Sequence, residues 1–421
     1  MRIVVVVAMT FIFQWASQSE AAPQVNRLFL GHEPSPLIEM IAVAKKTIDI
    51  EIYTMGSKTV RRSLRDAIHR GVKIRILKDP NPLEEGCSLF SDDVIKAKGG
   101  YAAAHAGGSK KKRRGREPKK ASLLDCDDQR KLVKEIVASG GRFEAFNKSL
   151  FCGDPKRPCY QHGKVAVVDR GTSSQKALIS TGNFEASNLC LLDEKPKRCN
   201  RDYHVVSSDR DVVESLMTTF DSDINGVKYD LRSRLGNQVS KKVTVSPHSL
   251  SPIVAFIESA KSSVRIQNQY IHDKHLIQAL IDSAKKGRQV SVQVASICAF
   301  RKPKAADIKK EKKFFQTLES VGAKVRFFTS SQKIHGRPGY LHAKAIVVDD
   351  ARGWVGSVNG SQTSLSSNRE FGIFFEDPDA VKKLRDQMAA DFSDAASENF
   401  EESSSCKKDR RTERSIDDQD L

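Results

Sequence analysis

The chain has 421 residues, 39% of them hydrophobic and 29% charged, so it can build a core large enough for two domains or one duplicated unit. Its formal net charge of +18 favours a polyanionic partner, either nucleic acid or an anionic membrane surface. After the N-terminal segment, no apolar stretch approaches the length that a transmembrane helix needs.

The N-terminus predicts a secretory signal peptide over residues 1–22. A short basic start, Met1-Arg2, precedes an apolar run over 3–13, and small residues follow at 21–22. The run is too short to cross the roughly 30 Å of a bilayer core as a helix. An uncleaved anchor or a buried N-terminal strand is the alternative. The predicted location is therefore secreted or periplasmic.

Helical and strand-like patterns alternate along the chain, and their order occurs twice. Ser35 is a candidate helix cap, and Gly71 and Gly287, at positions 216 residues apart, end equivalent helices. The repeat therefore covers whole α/β units, which predicts two packed halves, each a sheet with flanking helices. The predicted elements are helix 36–46, strand 47–53, helix 60–70 and strand 72–77, then helix 253–261, strand 264–270, helix 276–286 and strand 290–294.

A basic insertion interrupts the first half, at about residues 80–130. It contains the run Lys110–Lys120, which follows two glycines and shows no periodicity. Such a segment predicts an exposed, disordered loop that can touch a polyanion. The predicted domains are 23–225 for the first half and 243–395 for the second, followed by a disordered polar tail over 396–421.

Eight cysteines fit an oxidising compartment. Two pairs flank short loops and are predicted disulfides, and a third pair would staple the insertion, which leaves one further pair. A zinc site is the weaker interpretation, because the sequence has no Cys-x2-Cys pair and no histidine at ligand spacing. In that order the pairs are Cys152 with Cys159, Cys190 with Cys199, Cys87 with Cys126, and Cys298 with Cys406.

One short pattern, His-x-Lys-x4-Asp, occurs twice, at residues 162–169 and 342–349. A β-branched run follows each lysine and predicts a buried strand. Because side chains alternate along a strand, each histidine and its lysine share one face and the aspartate points to the other. An imidazole beside an ammonium suits a phosphate group, since one can attack phosphorus while the other neutralises the oxygens.

Each half continues with matching polar residues. Gly-Ser-Val-Asn at 356–359 and Asn-Arg-Glu-Phe at 368–371 correspond to Ser-Thr-Gly-Asn at 180–183 and Asn-Arg-Asp-Tyr at 200–203. Each half thus supplies a histidine, a lysine, an asparagine and a late carboxylate in the same order. Tyr53, Gln267 and Tyr270 end early strands, where pocket walls or simple packing explain them equally well.

On these residues the chain resembles the phospholipase D superfamily, whose signature is His-x-Lys-x4-Asp-x6-Gly-Ser-x-Asn. The second half matches every stated position, whereas the first half has extra residues after Asp169 and Ser180 where glycine is expected. The resemblance covers roughly residues 25–395 without the insertion. It implies an α/β fold of two pseudo-symmetric halves, each a mixed β-sheet flanked by helices, sharing one active site at their interface.

The resemblance also implies phosphodiester cleavage through a covalent phosphohistidine, without a metal or cofactor. His162 is then the predicted nucleophile and His342 the acid and base, an order that the residues alone do not force. Asp169 and Asp349 are predicted to be structural, because strand alternation turns them away from their histidines. The predicted phosphate ligands are Lys164, Lys344, Asn183 and Asn359, and the predicted imidazole orienters are Asp202 and Glu370.

Three functions remain open from the sequence. The fused, diverged halves favour hydrolysis or headgroup exchange on phospholipids by a monomer with an intramolecular two-half site. The basic loop and the net charge fit a secreted nuclease acting on DNA or RNA equally well. A binding module without catalysis is the third alternative, which the two intact His-Lys pairs disfavour.

Overall fold

The structure is a computed structural model that describes residues 25–80, 87–99, 120–151, 159–228, 242–299 and 303–406. The predicted signal peptide, residues 110–119 of the basic run and Cys152 lie outside these ranges. Within them, no helix combines the length and the apolar character needed to cross a membrane.

The first half forms a seven-stranded mixed sheet with flanking helices, and one short strand, β7, stands apart from it. A 3-10 turn precedes β7. In chain order the elements are β1 Asn26–Leu30, α1 Pro36–Val43, β2 Thr47–Ile52, α2 Lys58–His69, β3 Lys73–Lys78, α3 Asp92–Ala97, α4 Lys120–Ala138, β4 Arg142–Ala145, α5 Lys148–Phe151, β5 Lys164–Val168, β6 Lys176–Ser180, β7 Cys199–Arg201, β8 Tyr203–Ser207 and α6 Arg210–Ile224.

The second half forms an equivalent seven-stranded sheet, and its extra hairpin, β13 and β14, pairs with β7 of the first half. In chain order the elements are β9 Val243–Val245, α7 Leu250–Glu258, β10 Ser263–Asn268, α8 Lys274–Lys285, β11 Gln289–Ala295, α9 Ala305–Ser320, β12 Lys324–Phe328, β13 Lys333–Ile334, β14 Arg337–Leu341, β15 Lys344–Val348, β16 Arg352–Gly356, α10 Gln362–Ser366, β17 Phe371–Phe375, α11 Pro378–Ser393 and α12 Phe400–Ser404.

The two sheets have the same strand order, which confirms two repeated halves with mixed sheets. The first reads β1-β8-β6-β5-β2-β3-β4 and the second, taken from its other edge, β9-β17-β16-β15-β10-β11-β12. In each, three consecutive strands run parallel and the remaining neighbours are antiparallel. Equivalent registers place Ile52 opposite Lys164 and Asn268 opposite Lys344. Each lysine therefore lies at the edge where the parallel strands end.

The sheets face each other across a shared core. Val165 and Val167 of β5 point into this core with Ala345 and Val347 of β15, together with apolar residues of α6 and α11. Alternate residues of the same strands, such as Ala166, belong to separate outer cores that α1, α2 and α7–α9 cover. Burial on both faces explains why these strands read as continuous apolar runs instead of alternating ones.

Capping residues explain where several helices begin and end, although the predicted cap of α1 does not form. The hydroxyl of Ser57 accepts the backbone N–H of Val60, so α2 begins earlier than predicted. Gly71 and Gly287 follow α2 and α8 with φ near +80°, a conformation that glycine adopts at little cost. The prediction that Ser35 caps α1 is wrong, because its side chain makes no capping hydrogen bond. Pro36 starts that helix with φ already set.

Of the two predicted disulfides, Cys190–Cys199 is confirmed, and the pair across the insertion and the remaining pair are also bonded. The bonds Cys87–Cys126, Cys190–Cys199 and Cys298–Cys406 form, whereas the predicted bond between Cys152 and Cys159 involves a residue outside the described ranges. The first bond joins the two ends of the insertion that flank the basic run.

The prediction that the chain is disordered from residue 396 is wrong for residues 396–406. Helix α12 begins at a capping box between Asn399 and Glu402, and its Phe400 packs against Phe315 and Phe327. Phe400 is the one large apolar residue of this segment and its sequence neighbours are polar, so the composition indicated disorder. Residues 407–421 lie outside the described ranges.

Candidate active site

The two histidines lie at the junction of the halves, each two residues before the strand that its motif predicts. The backbone N–H of His162 donates to the carbonyl of Arg369 at 2.8 Å, and that of His342 donates to the carbonyl of Arg201 at 3.2 Å. Both bonds cross between the halves. The chain therefore builds one composite site at the interface of its two halves.

Each lysine lies against its own histidine, as the shared strand face predicts. Lys344 Nζ donates to the backbone carbonyl of His342 at 2.6 Å and lies 3.1 Å from its Nε2. Lys164 Nζ donates to the carbonyl of His162 at 2.5 Å. Both lysines are fully buried. The site therefore holds two buried cationic groups, which suits a phosphate diester.

The late carboxylates orient the imidazoles, and they do so across the interface. Glu370 of the second half lies 2.8 Å from Nδ1 of His162, and Asp202 of the first half lies 2.9 Å from Nδ1 of His342. Because a carboxylate can only accept, each Nδ1 carries the proton, and each Nε2 is left as the reactive nitrogen. Each half thus supplies the orienting acid of the other half's histidine.

Charges in this buried cluster settle which groups are ionised. Burial alone would raise the pKa of Asp202, but the hydrogen bond that His342 donates, the charge of Lys344 and the hydroxyl of Thr181 hold that pKa well below its usual range. The pKa of Glu370 is lowered in the same way, against its burial, by His162 and Lys164. Both carboxylates are therefore anions at neutral pH.

His342 is neutral at rest. Its burial and then the charge of Lys344 lower the pKa of His342 to about 3, although Asp202 acts in the opposite direction. The charge of Lys164, from the other half, lowers the same pKa further. The charge of one motif therefore acts on the histidine of the other. An anion bound between the two lysines would offset their charges and raise the pKa of His342.

The two predicted asparagines reach the same region from equivalent positions. Asn183 follows β6 and Asn359 follows β16, and both are buried. In the described part of the chain, the side-chain oxygen of each has no hydrogen-bond partner. Buried amide groups are normally satisfied, so these two oxygens can each accept a hydrogen bond from a donor of a bound ligand.

The structure places Tyr53, for which the sequence left a pocket wall and simple packing open, at the site, together with Thr181 and Asn188, to which the sequence gave no role. The ring of Tyr53 makes an edge contact with His162 at 5.0 Å, and Lys164 Nζ lies 5.5 Å from its centroid. Thr181 and Asn188 donate to Asp202, at 2.6 and 2.9 Å. The tripeptides Asn-Arg-Asp at 200–202 and Asn-Arg-Glu at 368–370 repeat the arginine as well as the acid, which indicates a role for the arginine too.

The arginines of those tripeptides lock the halves together. The guanidinium of Arg201 pairs with Asp391 at 2.7 Å, and that of Arg369 pairs with Asp223 at 2.7 Å. All four side chains are buried, and each pair joins one half to a helix of the other. The arginine carbonyls hold the histidine backbones, so these pairs also support the site geometry.

The two motif aspartates lie at the opposite ends of their strands, where sequence alternation predicts a structural role. The carboxylate of Asp169 accepts the backbone N–H groups of residues 45–47, and that of Asp349 those of residues 261–263. Both residues have φ above +50°. Each therefore fixes the turn before β2 or β10 instead of touching the histidines.

We expect Asp349→Asn to lower stability at neutral pH by about 1 kcal/mol, because a neutral amide oxygen accepts these largely exposed backbone N–H groups more weakly than a carboxylate does. Burial would raise the pKa of Asp349, but hydrogen bonds from Ser262, Lys261 and Ser263 keep it below its usual value of about 3.9. A depressed pKa means that this stabilisation is present above about pH 4 and is lost as the pH falls through the folded-state pKa.

Urea unfolding midpoints between pH 3 and 7 measure this effect. The difference between wild type and Asp349→Asn should be constant from pH 7 to 5 and should shrink below pH 4. Asp350→Asn, at the adjacent exposed position with a similar φ, is the matched control. A difference that stays constant down to pH 3 would contradict the assigned role.

Comparison with known proteins identifies the family. Residues 37–224 and 253–392 match the family described as "Cardiolipin synthase, PLD-like domain". The cardiolipin synthase of Oceanobacillus iheyensis is 24% identical over 374 residues, which cover 84% of this chain and 65% of that protein. The major cardiolipin synthase ClsA of Bacillus subtilis is 26% identical over 277 residues, covering 61% of this chain and 53% of that protein.

A solved structure supports the fold. The phosphatidylserine synthase of Haemophilus influenzae Rd KW20 superimposes with a TM-score of 0.55 at 12% identity, covering 90% of this chain and 88% of that one. The chain spans between about half and two thirds of the length of the two curated relatives above. With both halves matched and both motifs joined in one site, the chain belongs to the PLD-like domain family of cardiolipin synthases, within the phospholipase D superfamily.

Proposed function

We propose that this protein transfers the phosphatidyl group of a phospholipid to an alcohol, or to water, through a phosphohistidine intermediate. One observation carries the proposal: two imidazoles, each oriented at Nδ1 by a carboxylate of the opposite half, lie in one interface with two buried lysines. The names of the relatives, which are cardiolipin synthases, support a phospholipid substrate and transfer to a second lipid alcohol.

In the proposed first step, Nε2 of His162 attacks phosphorus and the bond to the headgroup oxygen breaks. His342 gives its proton to the departing alkoxide. Its low resting pKa comes from burial and then from the lysine charges, which the phosphate anion offsets on binding, so a bound substrate allows His342 to hold that proton. In the second step, His342 removes a proton from the acceptor alcohol, whose oxygen displaces His162 from phosphorus.

Lys164, Lys344, Asn183 and Asn359 are proposed to hold the phosphoryl oxygens. Their burial removes competing water, so each donor stabilises the developing charge more strongly than it would in solvent. Asp202 and Glu370 keep the reactive nitrogen of each imidazole directed at phosphorus and stabilise the charged imidazolium.

We further propose that the protein acts outside the cytoplasm, as a secreted or periplasmic enzyme. The disulfides Cys87–Cys126, Cys190–Cys199 and Cys298–Cys406 support an oxidising compartment. The signal peptide expected at residues 1–22 agrees with that location.

Substrate choice and metal independence can be tested together. Purified protein in EDTA is incubated with phosphatidylglycerol in mixed micelles, with and without ethanol, and in parallel with plasmid DNA and RNA. We expect cardiolipin or phosphatidic acid, and phosphatidylethanol when ethanol is present, because the intermediate passes to any small alcohol. Mass spectrometry identifies the products. Cleavage of nucleic acid without lipid turnover would contradict the proposal, as would loss of activity in EDTA.

A further inference from the structure

We propose that the exposed lysine face of α9 docks this protein onto an anionic phospholipid bilayer beside the active site. This inference deepens the proposed function, on which it rests, by naming the surface through which the lipid is reached. The lysine face consists of Lys309, Lys310 and Lys313 of α9, with a fourth exposed lysine, Lys304, at the N-cap of the helix.

Over the first turns of α9, the lysines are exposed to solvent and the acidic residues face the protein. From residue 304 to 317 the exposed positions are the four lysines, two alanines, a glutamine and a threonine. The acids of this stretch turn inward: Asp307 and Glu311 line a cavity beneath the helix, and Glu311 lies 3.6 Å from His272. Lys312 is paired with Glu401 at 2.7 Å and is not part of the face. Cationic groups alone are therefore presented outward.

Helix stability does not explain this arrangement. Positive charges near a helix N-terminus oppose the helix macrodipole, and Lys309 and Lys313 are like charges at i and i+4. Both effects destabilise an isolated helix. An anionic surface brought against the face offsets both. The lysine face is therefore better explained by a partner than by folding.

The lysine face lies at the active-site edge of the second sheet. Helix α9 follows β11, which runs parallel to β10, and β10 ends where Asn268 pairs with Lys344. The first turns of α9 therefore begin at the edge that carries the histidines. A bilayer held there lies next to the site instead of at the far end of the strands.

An apolar cavity continues from this helix toward the site. Its lining includes Ile271, Ile297 and Phe315, together with Gln269. The side chain of Gln269 donates to the hydroxyl of Tyr340, whose ring lies 6.3 Å from that of His342. One residue layer thus separates an apolar recess under the lysine face from a catalytic imidazole. Asp307 and Glu311 also line this cavity, so anionic phosphates are expected at the exposed lysines and only acyl chains against the apolar walls, a division that suits a lipid better than a nucleic acid.

The test compares two variants of the full chain with equal charge changes. The docking variant is Lys309→Gln, Lys310→Gln and Lys313→Gln. The control variant is Lys261→Gln, Lys285→Gln and Lys286→Gln, three exposed lysines of the same half at the opposite edge of the sheet. Binding is measured by flotation with vesicles of phosphatidylcholine containing 30% phosphatidylglycerol, and circular dichroism checks that both variants are folded.

We expect the docking variant to bind these vesicles roughly a hundredfold more weakly, since each basic residue near an anionic surface contributes about fivefold to partitioning. The control variant should stay within about threefold of wild type. Headgroup release in neutral detergent micelles, where no bilayer is present, should be the same for all three proteins. Equal losses in both variants, or no loss in the docking variant, would overturn the proposal.

Two further outcomes separate this proposal from the proposed function. If no protein turns over lipid in micelles but the docking variant alone loses vesicle binding, the docking surface stands and the proposed activity fails. If the docking variant loses affinity for a single-stranded oligonucleotide while its vesicle binding is unchanged, the face serves nucleic acid and the docking proposal is wrong.

Discussion

Replacing either imidazole, as His162→Asn or His342→Asn, is expected to lower kcat for headgroup release by about 10⁴-fold or more. The reason is that both nitrogens act on the same phosphorus, one in the bond to it and one on the leaving oxygen. The double variant should be little worse than either single variant, because the two groups act as a unit. Initial rates in mixed micelles, with His69→Asn as an exposed-histidine control, measure the effect.

A lipid with a good leaving group distinguishes the two roles. With phosphatidyl-p-nitrophenol the departing oxygen needs no proton, so His342→Asn should still release one equivalent of p-nitrophenol in a burst. The protein should then carry acid-labile phosphate on His162, because no base activates the acceptor. His162→Asn should show neither burst nor label. Labelling in His162→Asn instead would reverse the two assignments, and full turnover in either variant would refute the histidine mechanism.

The fold and the catalytic pairs could be predicted because their signals are local and repeated. A buried strand such as β5 reads as an apolar run, and a histidine two residues from a lysine shares its side of the chain wherever the strand lies. The repeat then predicted the overall architecture, since two equivalent sequences predict two equivalent sheets. The far position of Asp169 followed from the same alternation.

Which carboxylate serves which histidine could not be predicted. Asp202 reaches His342 over a separation of 140 residues and Glu370 reaches His162 over 208, so no local spacing reports either contact. The two halves are also alike, so the sequence pattern is equally compatible with a carboxylate that pairs with the histidine of its own half and with one that pairs with the histidine of the other half. Only the packing of the two sheets decides between them. Arg201 and Arg369 were missed because a charged residue beside a named acid ordinarily indicates a solvated position.

Asp391→Ala is expected to lower the free energy of unfolding by about 3–5 kcal/mol, which is the usual cost of leaving a buried charge unpaired. Asp391 is the buried ionic partner of Arg201, so its removal leaves the guanidinium with His32, whose Nδ1 lies 3.1 Å away, and without that carboxylate. Urea titration of the full chain measures this loss. Asp386→Ala, which removes a fully exposed ion pair from the same helix, should cause no measurable change.

The equivalent change in the other half should cost less, because the halves differ at one buried position. Where the second half has Gln267, the first half has Glu51, which is buried beside the pair of Asp223 and Arg369. Burial and then the charge of Asp223 raise the pKa of Glu51, whereas the guanidinium acts to lower it. Removing Asp223 lowers that pKa, so Glu51 can ionise and replace the lost partner.

A double-mutant cycle tests this reserve partner. Asp223→Ala alone should destabilise the protein by less than Asp391→Ala, and Glu51→Gln alone should change stability little, because burial and the charge of Asp223 favour the neutral form of that carboxyl. Glu51→Gln combined with Asp223→Ala should restore the full cost of an unpaired guanidinium, so the two changes together exceed their sum. Additive losses, or equal costs for Asp223→Ala and Asp391→Ala, would show that Glu51 stays neutral and that the two locks are equivalent.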